Sequence, residues 1–273
     1  MSIFNLHTHT TRCHHAVGED REYVEAAIRA GMTTLGFADH CPQFFPTDDY
    51  YSHFRMRPEK AQEYAESIRA LQKEYARDIR ILLGFETEYY PETFDALMDF
   101  IRPLRLDYMI MGQHFVGNEY DEGSFYVAAK GKKEDYLAQY VRQVKEGLQT
   151  GAFTYLAHPD TVWYSGDPVY YRQQMRELCR FAKERDIPLE YNMLGAVNGR
   201  CYPNPTFWEI AAETGNKAVI GYDAHDPAML TDHAAYSACV KRLSAHGITP
   251  ASLEEITLRR EILQPYQAAD LLE

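Results

Sequence analysis

The chain contains no apolar run near the roughly 20 residues a membrane-spanning helix needs, so no membrane segment is expected. Its first residues, Met-Ser-Ile-Phe-Asn, lack a basic region followed by a long apolar stretch, and no signal peptide is expected. Basic charge is scarce: 28 Lys and Arg stand against 40 Asp and Glu, a formal net charge of −12. That balance argues against long nucleic acid as a partner, because tracking a phosphate backbone needs a basic surface. It leaves a small phosphorylated substrate open, since bound divalent cations invert the local field. The five cysteines, Cys13, Cys41, Cys179, Cys201 and Cys239, are scattered and include no C-x-x-C pair. A reduced, cytoplasmic setting is expected rather than a disulfide framework. No Ser/Gly/Pro linker or low-complexity tract divides the chain, so one domain over 1–273 is expected.

What the chain does have is ample apolar material, 45% of residues, enough for a packed core. Much of it lies in short runs, each ending in side chains with metal-binding or polar atoms. Residues 3–6 run into His7 and His9, 33–38 into Asp39 and His40, and 79–85 into Glu86. Residues 108–112 run into His114, 153–157 into His158, 187–189 into Glu190 and Asn192, and 217–222 into Asp223 and His225. Consecutive apolar positions suit strands covered on both faces, as in a parallel sheet. Amphipathic helical stretches fall between them, over 20–30, 58–77, 91–104, 134–148, 169–185, 205–214 and 226–246. Residues 253–272 read as a terminal helix and tail. Strand, ligand, loop and helix repeat about seven times, and helical crossovers are what parallel strands require. If these α/β units close into a barrel, the ligands meet at one mouth. The long loops, 40–57, 115–133, 159–168 and 194–204, follow the ligands and are expected to carry substrate contacts.

His7-Thr8-His9 puts two imidazoles on the same side of a strand, within reach of one cation. Alone, such a pair also fits surface or capping histidines. Asp223-Ala224-His225 at the far end, with His15, His40, Glu86, His114 and His158 between, favours a metal centre. Mixed imidazoles and carboxylates suit Zn, Fe or Mn rather than Ca or Mg, and the supply serves two or three divalent ions. Taken singly, His114 and His158 read as core histidines, and Asp39 and Asp160 as orienters of a neighbouring imidazole. His233 and His246 read as solvent-facing or capping, Cys13 and Cys41 as packing, and Tyr89-Tyr90 and Tyr170-Tyr171 as core and loop packing. Arg55 and Arg57 fit a plain surface role nearly as well as a phosphate contact.

The chain resembles the PHP (polymerase and histidinol phosphatase) superfamily of metal-dependent phosphoesterases. The matching motifs are His7-Thr8-His9-Thr10, Ala38-Asp39-His40, Gly84-Phe85-Glu86, His114, Ala157-His158-Pro159-Asp160 and Tyr222-Asp223-Ala224-His225. The resemblance implies a distorted (β/α)7 barrel with a trinuclear metal site at the C-terminal ends of the strands. It implies that His7, His9, Glu86 and Asp223 hold one ion. Glu86 would bridge to a second, completed by His114 and His158, and His15, His40 and His225 would hold the third. His15 rather than its neighbour His14 matches the spacing. Cys13-His14-His15-Ala16-Val17-Gly18, 52–57, Asn192-Met193-Leu194-Gly195 and Tyr202-Pro203-Asn204-Pro205 resemble the histidinol-phosphatase branch. Gly112-Gln113-His114 departs from a more common Gly-Ser-x-His stretch.

This likeness implies a phosphomonoesterase of histidine biosynthesis that converts L-histidinol phosphate to L-histidinol and phosphate. Hydroxide bridging two cations would attack phosphorus in line. Glu86, Asp223, His225, Arg200 and Asp160 are the expected catalytic residues. Arg200 is the expected phosphate clamp, with Arg55, Arg57, Asn192, His53 and Gln113 also expected at the substrate. Asp160 and His53 are candidate proton donors to the leaving group. Asp48, Asp49, Glu119, Asp121 and Glu122 are available to a cationic substrate. Small nucleotides, phosphotyrosine, or a non-catalytic metal-binding role are the alternatives, and the oligomeric state is left open. The donor supply predicts that purified protein carries two or three divalent ions per chain. Elemental analysis checks this; a chain that stays metal-free after incubation with Zn, Fe or Mn contradicts it.

Overall fold

The computed structural model of the protein describes residues 3–47 and 50–264. Strands β1 (Ile3–Asn5), β2 (Met32–His40), β3 (Arg80–Thr87) and β4 (Tyr108–Met111) pair in that order, all parallel. A short antiparallel hairpin follows, β5 (Phe115–Val116) with β6 (Phe125–Tyr126). Strand β7 (Leu189–Asn192) then pairs parallel with β8 (Ala218–Gly221). Single parallel bridges connect the pieces: Met111 to Leu156, and Leu156 to Leu189. The ring closes where Thr8 bridges Ala224. There the His9 amide donates to the Ala224 carbonyl at 2.9 Å, and the Ala224 amide to the His7 carbonyl at 3.0 Å. Seven strand positions (β1, β2, β3, β4, residue 156, β7, β8) thus follow one another round a distorted (β/α)7 barrel. The distortion sits at the single-bridge joints. Around them lie α1 (Asp20–Arg29), α2 (Ala61–Glu74), α3 (Phe94–Ile101), α4 (Glu134–Gln149) and α5 (Pro168–Glu184). The short α6 (Met193–Val197), α7 (Pro205–Thr214), α8 (His233–Ala245) and α9 (Arg260–Leu263) complete the described helices. No described helix is long and apolar enough to cross a membrane.

Helix boundaries follow local chemistry. Asp167 caps α5 by accepting from the Val169 amide, with Pro168 in the first turn. Asn204 and Pro205 repeat the device at α7. The strands are buried on both faces, which explains their unbroken apolar sequence. Along β3, Ile81, Leu83 and Phe85 join the large outer core under the helices. Leu82 points the other way, into a smaller cluster with Phe4, Leu6, Tyr108, Ile110, Tyr155 and Val219. That cluster is the floor of the barrel, and Glu86 shares its face of β3 nearer the mouth, two inward positions beyond Leu82. Tyr108 spans the floor, its hydroxyl donating to the Leu6 carbonyl at 2.8 Å.

Several sequence expectations are corrected. Residues 153–157 form no strand; only Leu156 makes ladder bridges. The stretch 91–104 becomes a helix only from Phe94 and tightens to a 3-10 turn at Arg102–Leu104, so Pro91 lies before the helix. The stretch 226–246 splits into a 3-10 turn, Pro227–Thr231, and α8, because the Asp232 side chain caps a new start. The terminal stretch is a 3-10 turn and the short α9 as far as residue 264, and the rest of it lies outside the described residues. The hairpin β5–β6 and helix α6, both in predicted loops, had no recognised signal.

Two inward positions are glycine for want of room. A Cβ at Gly112 would overlap the Glu86 carboxylate, and one at Gly221 would overlap that of Glu190. Gly221→Ala is therefore expected to cost about 1–3 kcal/mol, the usual price of overpacking. Thermal unfolding by circular dichroism reads this as a lowered Tm; an unchanged Tm contradicts the tight approach.

Candidate metal centre

The barrel mouth is a polar layer on an apolar floor. β1 ends so that His7 and His9 both point inward, and both are fully buried. Asn5 fixes that turn: its side-chain Oδ1 accepts from the Tyr222 and His7 amides, each at 3.1 Å. His40 and Glu86 are register partners at the ends of β2 and β3. His40 Nδ1 lies 2.9 Å from Glu86 Oε2. His158 Nε2 is 2.7 Å from Glu86 Oε1, His7 Nε2 3.6 Å and His114 Nε2 3.8 Å from the same oxygen. His9 Nε2 lies 3.7 Å from Glu86 Oε2 and 3.1 Å from Asp223 Oδ1. His158 and Asp223 hold left-handed φ values of 28° and 52°. Such strain in non-glycine residues clusters at functional sites.

His15 and His225 meet on the outer side. Their Nε2 atoms are 2.9 Å apart, while His15 Nδ1 faces the Cys13 carbonyl at 2.8 Å and His225 Nδ1 the Asp223 carbonyl at 3.0 Å. Each Nδ1 must donate to its carbonyl, so two lone pairs confront each other unless a proton or cation lies between. Both His14 and His15 are exposed, but only His15 lines the cleft and meets His225, while His14 sits at φ 70°. Two further imidazoles are pinned, here by carboxylates: His7 Nδ1 to Glu190 Oε1 at 2.7 Å, and His114 Nδ1 to Glu88 Oε1 at 2.8 Å. Carboxylates behind histidines fix the tautomer and leave the opposite nitrogen free for a metal. His7 Nε2, both ring nitrogens of His9, His40 Nδ1 and Glu86 Oε2 are buried and, though some lie close to one another, none has a partner in hydrogen-bonding geometry. Such atoms are costly in a protein core. Imidazole and carboxylate donors orphaned together fit a divalent cation cluster.

Charge tells the same story. Burial opposes charge on all of these groups. In His7 it is outweighed by Glu190, Asp223 and Glu86, which raise the ring to about 10. In Glu86 it is outweighed by His40, His7 and His114, which hold the carboxyl well below its ordinary range. Asp223 is likewise held down, against burial, by His7, His9 and His225. His40 goes the other way, pushed well below its usual value chiefly by burial, and His225 is lowered to about 3 by burial and by His9. The carboxylates are thus balanced by protons on some imidazoles, and a cation entering the cluster displaces those protons.

The cluster opens into a cleft of about 550 Å³, lined by His15, His40, Glu86, His114, His158, Asp223 and His225 on one side. Phe54, Phe115, Tyr126, Leu194, Asn198, Arg200 and Tyr202 form the rest. All nine predicted ligands converge here, His7 and His9 lying behind the wall. Of the predicted substrate contacts, Arg200 reaches the cleft and donates to the Tyr202 hydroxyl at 2.8 Å. The others do not line it. Arg55 is buried between Glu88, at 2.5 Å, and Glu119, at 2.7 Å. Arg57 lies over the Tyr51 ring, and His53 is exposed outside the cleft. Gln113 is spent on backbone, accepting from the Tyr89 amide and donating to the Phe115 carbonyl. Asn192 donates to Glu190 at 2.9 Å and Asp223 at 3.2 Å. Asp160 is buried under the Asn204 amide and the Trp208 indole N–H, with burial raising it to about 7. Asp39 accepts from the Thr10 hydroxyl and the His40 amide. Glu119 is taken by Arg55 and the Tyr50 hydroxyl, Asp121 and Glu122 are exposed, and Asp48 and Asp49 lie outside the described residues. Glu88 escaped the sequence reading; its position two residues after Glu86, on a strand-end alternation, was the available signal. Tyr126 and Asn198 had none.

Fold and site together define a barrel hydrolase-like scaffold with a cation-ready cluster of imidazoles and carboxylates at its mouth. The PHP domain profile matches residues 5–193, and the chain belongs to the PHP domain family. It is 30% identical over 233 residues to a protein of Deinococcus radiodurans named "Probable histidinol-phosphatase", covering 82% of this chain and 87% of the relative. It is 28% identical over 156 residues to the histidinol-phosphatase of Bacillus subtilis, covering 52% and 58% of the two chains. Among solved structures, histidinol phosphate phosphatase of Lactococcus lactis, complexed with zinc, L-histidinol and phosphate, superposes with a TM-score of 0.70 at 20% identity. That match covers 90% of this chain and 94% of the other.

Glu190→Gln tests the role of the carboxylate behind His7. An amide can turn its N–H₂ toward Nδ1 and favour the wrong tautomer. A metal affinity weakened about 10–100-fold is expected, read by calorimetric titration of the metal-stripped protein. Unchanged affinity contradicts the assignment.

Proposed function

We propose that the protein is a metal-dependent phosphatase that hydrolyses histidinol phosphate to histidinol and phosphate. The observation that carries the chemistry is the convergence of nine donor side chains, several with orphaned buried lone pairs, beside an arginine on an open cleft. The curated relatives named histidinol-phosphatase support the choice of substrate. His7, His9, Glu86 and Asp223 would hold one ion, Glu86 with His114 and His158 a second, and His15, His40 and His225 a third. Zn, Fe and Mn all suit these donors, and the zinc in the Lactococcus lactis structure supports Zn. Divalent cations bound there neutralise phosphate oxygens and make a water nucleophile available near neutral pH.

The chain's own residues supply the rest. Arg200 offers guanidinium N–H donors to a phosphate oxygen, a charge-assisted contact that gains strength as charge redistributes toward the transition state. Tyr202 accepts from Arg200 and keeps its own proton, because burial, and then Asp223 nearby, push its hydroxyl far above the usual phenol range. It is therefore a neutral O–H donor on the cleft wall, where Asp160 is not available. Phe54, Phe115, Tyr126 and Leu194 line an apolar side suited to the body of a small ester. The family profile ends at residue 193, yet Asp223 and His225 lie beyond it on the same mouth, which supports reading 1–273 as one domain. Five free cysteines fit a cytoplasmic, reducing setting.

A substrate panel tests this function. Phosphate release from histidinol phosphate is expected to exceed that from nucleoside monophosphates and a phosphotyrosine peptide by at least about 100-fold in kcat/KM, or roughly 2.7 kcal/mol. Equal or better turnover of either competitor overturns the assignment. In the same assay Arg200→Ala is expected to lose about 10²–10³-fold, the usual scale for one stabilising donor; full activity removes the clamp.

A further inference from the structure

Behind His114, away from the cleft, lies a buried polar assembly that the proposed chemistry does not use. Arg55 is only 2% exposed, and Glu88 only 1%. The Arg55 guanidinium donates through Nη2 to Glu88 Oε1 at 2.5 Å and through Nε to Glu119 Oε2 at 2.7 Å. Glu88 Oε2 accepts from the Tyr90 hydroxyl. Glu88 Oε1 also faces His114 Nδ1 at 2.8 Å. With Arg55 and Tyr90 donating to it, the Glu88 carboxylate has only acceptor capacity left, so His114 must carry its proton on Nδ1. The lone pair is then on His114 Nε2, which lies 3.8 Å from Glu86 Oε1.

Arg55 also touches what borders the site. Its guanidinium lies over the Phe54 ring, 4.6 Å from the centroid. Phe54 in turn packs edge-on against His114 and His40, with centroids 6.0 Å and 5.6 Å away. Through Glu119, which also accepts from the Tyr50 hydroxyl, Arg55 ties residues 50–55 to the segment after β5. One buried cation thus connects two cleft-forming loops with the carboxylate that orients an imidazole.

We propose that Arg55 is a positioning residue: through Glu88 it fixes the tautomer and direction of His114 in the metal centre. This rests on the metal-centre reading above. It replaces the expectation that Arg55 grips phosphate, because the guanidinium is committed to Glu88 and Glu119 and does not line the cleft.

The test compares the full chain with Arg55→Lys, Arg55→Gln and Glu88→Gln, each checked for native circular dichroism. Glu88→Gln is isosteric and carries the test if an Arg55 variant fails to fold. Metal-stripped protein is titrated with Zn²⁺ calorimetrically, and histidinol phosphate turnover is measured with and without excess Zn²⁺. The proposal expects one Zn²⁺ site weakened about 10–100-fold, with the others unchanged. It expects kcat lowered and largely restored by excess Zn²⁺, KM within twofold of the parent, and Arg55→Lys closer to the parent than Arg55→Gln. Folded variants with parental Zn²⁺ affinity overturn it. So does a raised KM with weaker phosphate inhibition at unchanged Zn²⁺ content, which would return Arg55 to phosphate binding. Parent protein that binds no Zn²⁺ overturns the metal-centre reading itself, and this proposal with it; parent binding with unaltered variants overturns this proposal alone.

Discussion

The arrangement depends on one carboxylate. Glu86 is almost fully buried at the end of β3, and His7, His9, His40, His114 and His158 all approach its two oxygens within 2.7–3.8 Å. An isolated carboxylate in that place would be costly, and removing a partner from a buried ion pair typically costs about 3–5 kcal/mol. The protein makes room for it by leaving Gly112, the residue after β4, without a side chain. It then surrounds the group with imidazoles, two of which, His7 and His114, have their far nitrogens pinned by Glu190 and Glu88. The result is a site held together by charge that a barrel of apolar strands would otherwise exclude. Its orphaned nitrogens and oxygens are the mark of a group that belongs between them.

The architecture explains how residues far apart in sequence reach this point. Alternation along each strand sends one set of side chains to the helix-covered core and the other into the barrel. The inner set is apolar at the floor and polar at the mouth. Closure at Thr8 and Ala224 by only a single bridge leaves His7, His9, Asp223 and His225 side by side without a continuous ladder between them. A regular ladder there would hold Asp223 in extended backbone; instead it sits at φ 52° and delivers its carboxylate to His9.

Much of this was readable in the sequence. Strand positions and most helices followed from apolar runs and amphipathic spacing, because burial on both strand faces leaves no polar interruption. The donors were legible for a related reason: each stands where an apolar run stops, as His40 and Glu86 do on adjacent strands. The substrate side was not. Arg55, Asn192, Gln113 and Asp160 look like free polar groups in the sequence. In the fold each is consumed by a partner from another segment: Glu119, Asp223, Tyr89 and Trp208 respectively. Such pairings are long-range and carry no local pattern. The hairpin β5–β6 and helix α6 are short, below the length at which periodicity is readable.

The most direct test of the central claim is anomalous X-ray diffraction from crystals of the protein grown or soaked with Zn²⁺, collected on either side of the zinc edge. The account predicts anomalous peaks inside the barrel mouth, beside Glu86 and the imidazoles that surround it. Peaks confined to surface residues, with the mouth holding only water, would contradict it.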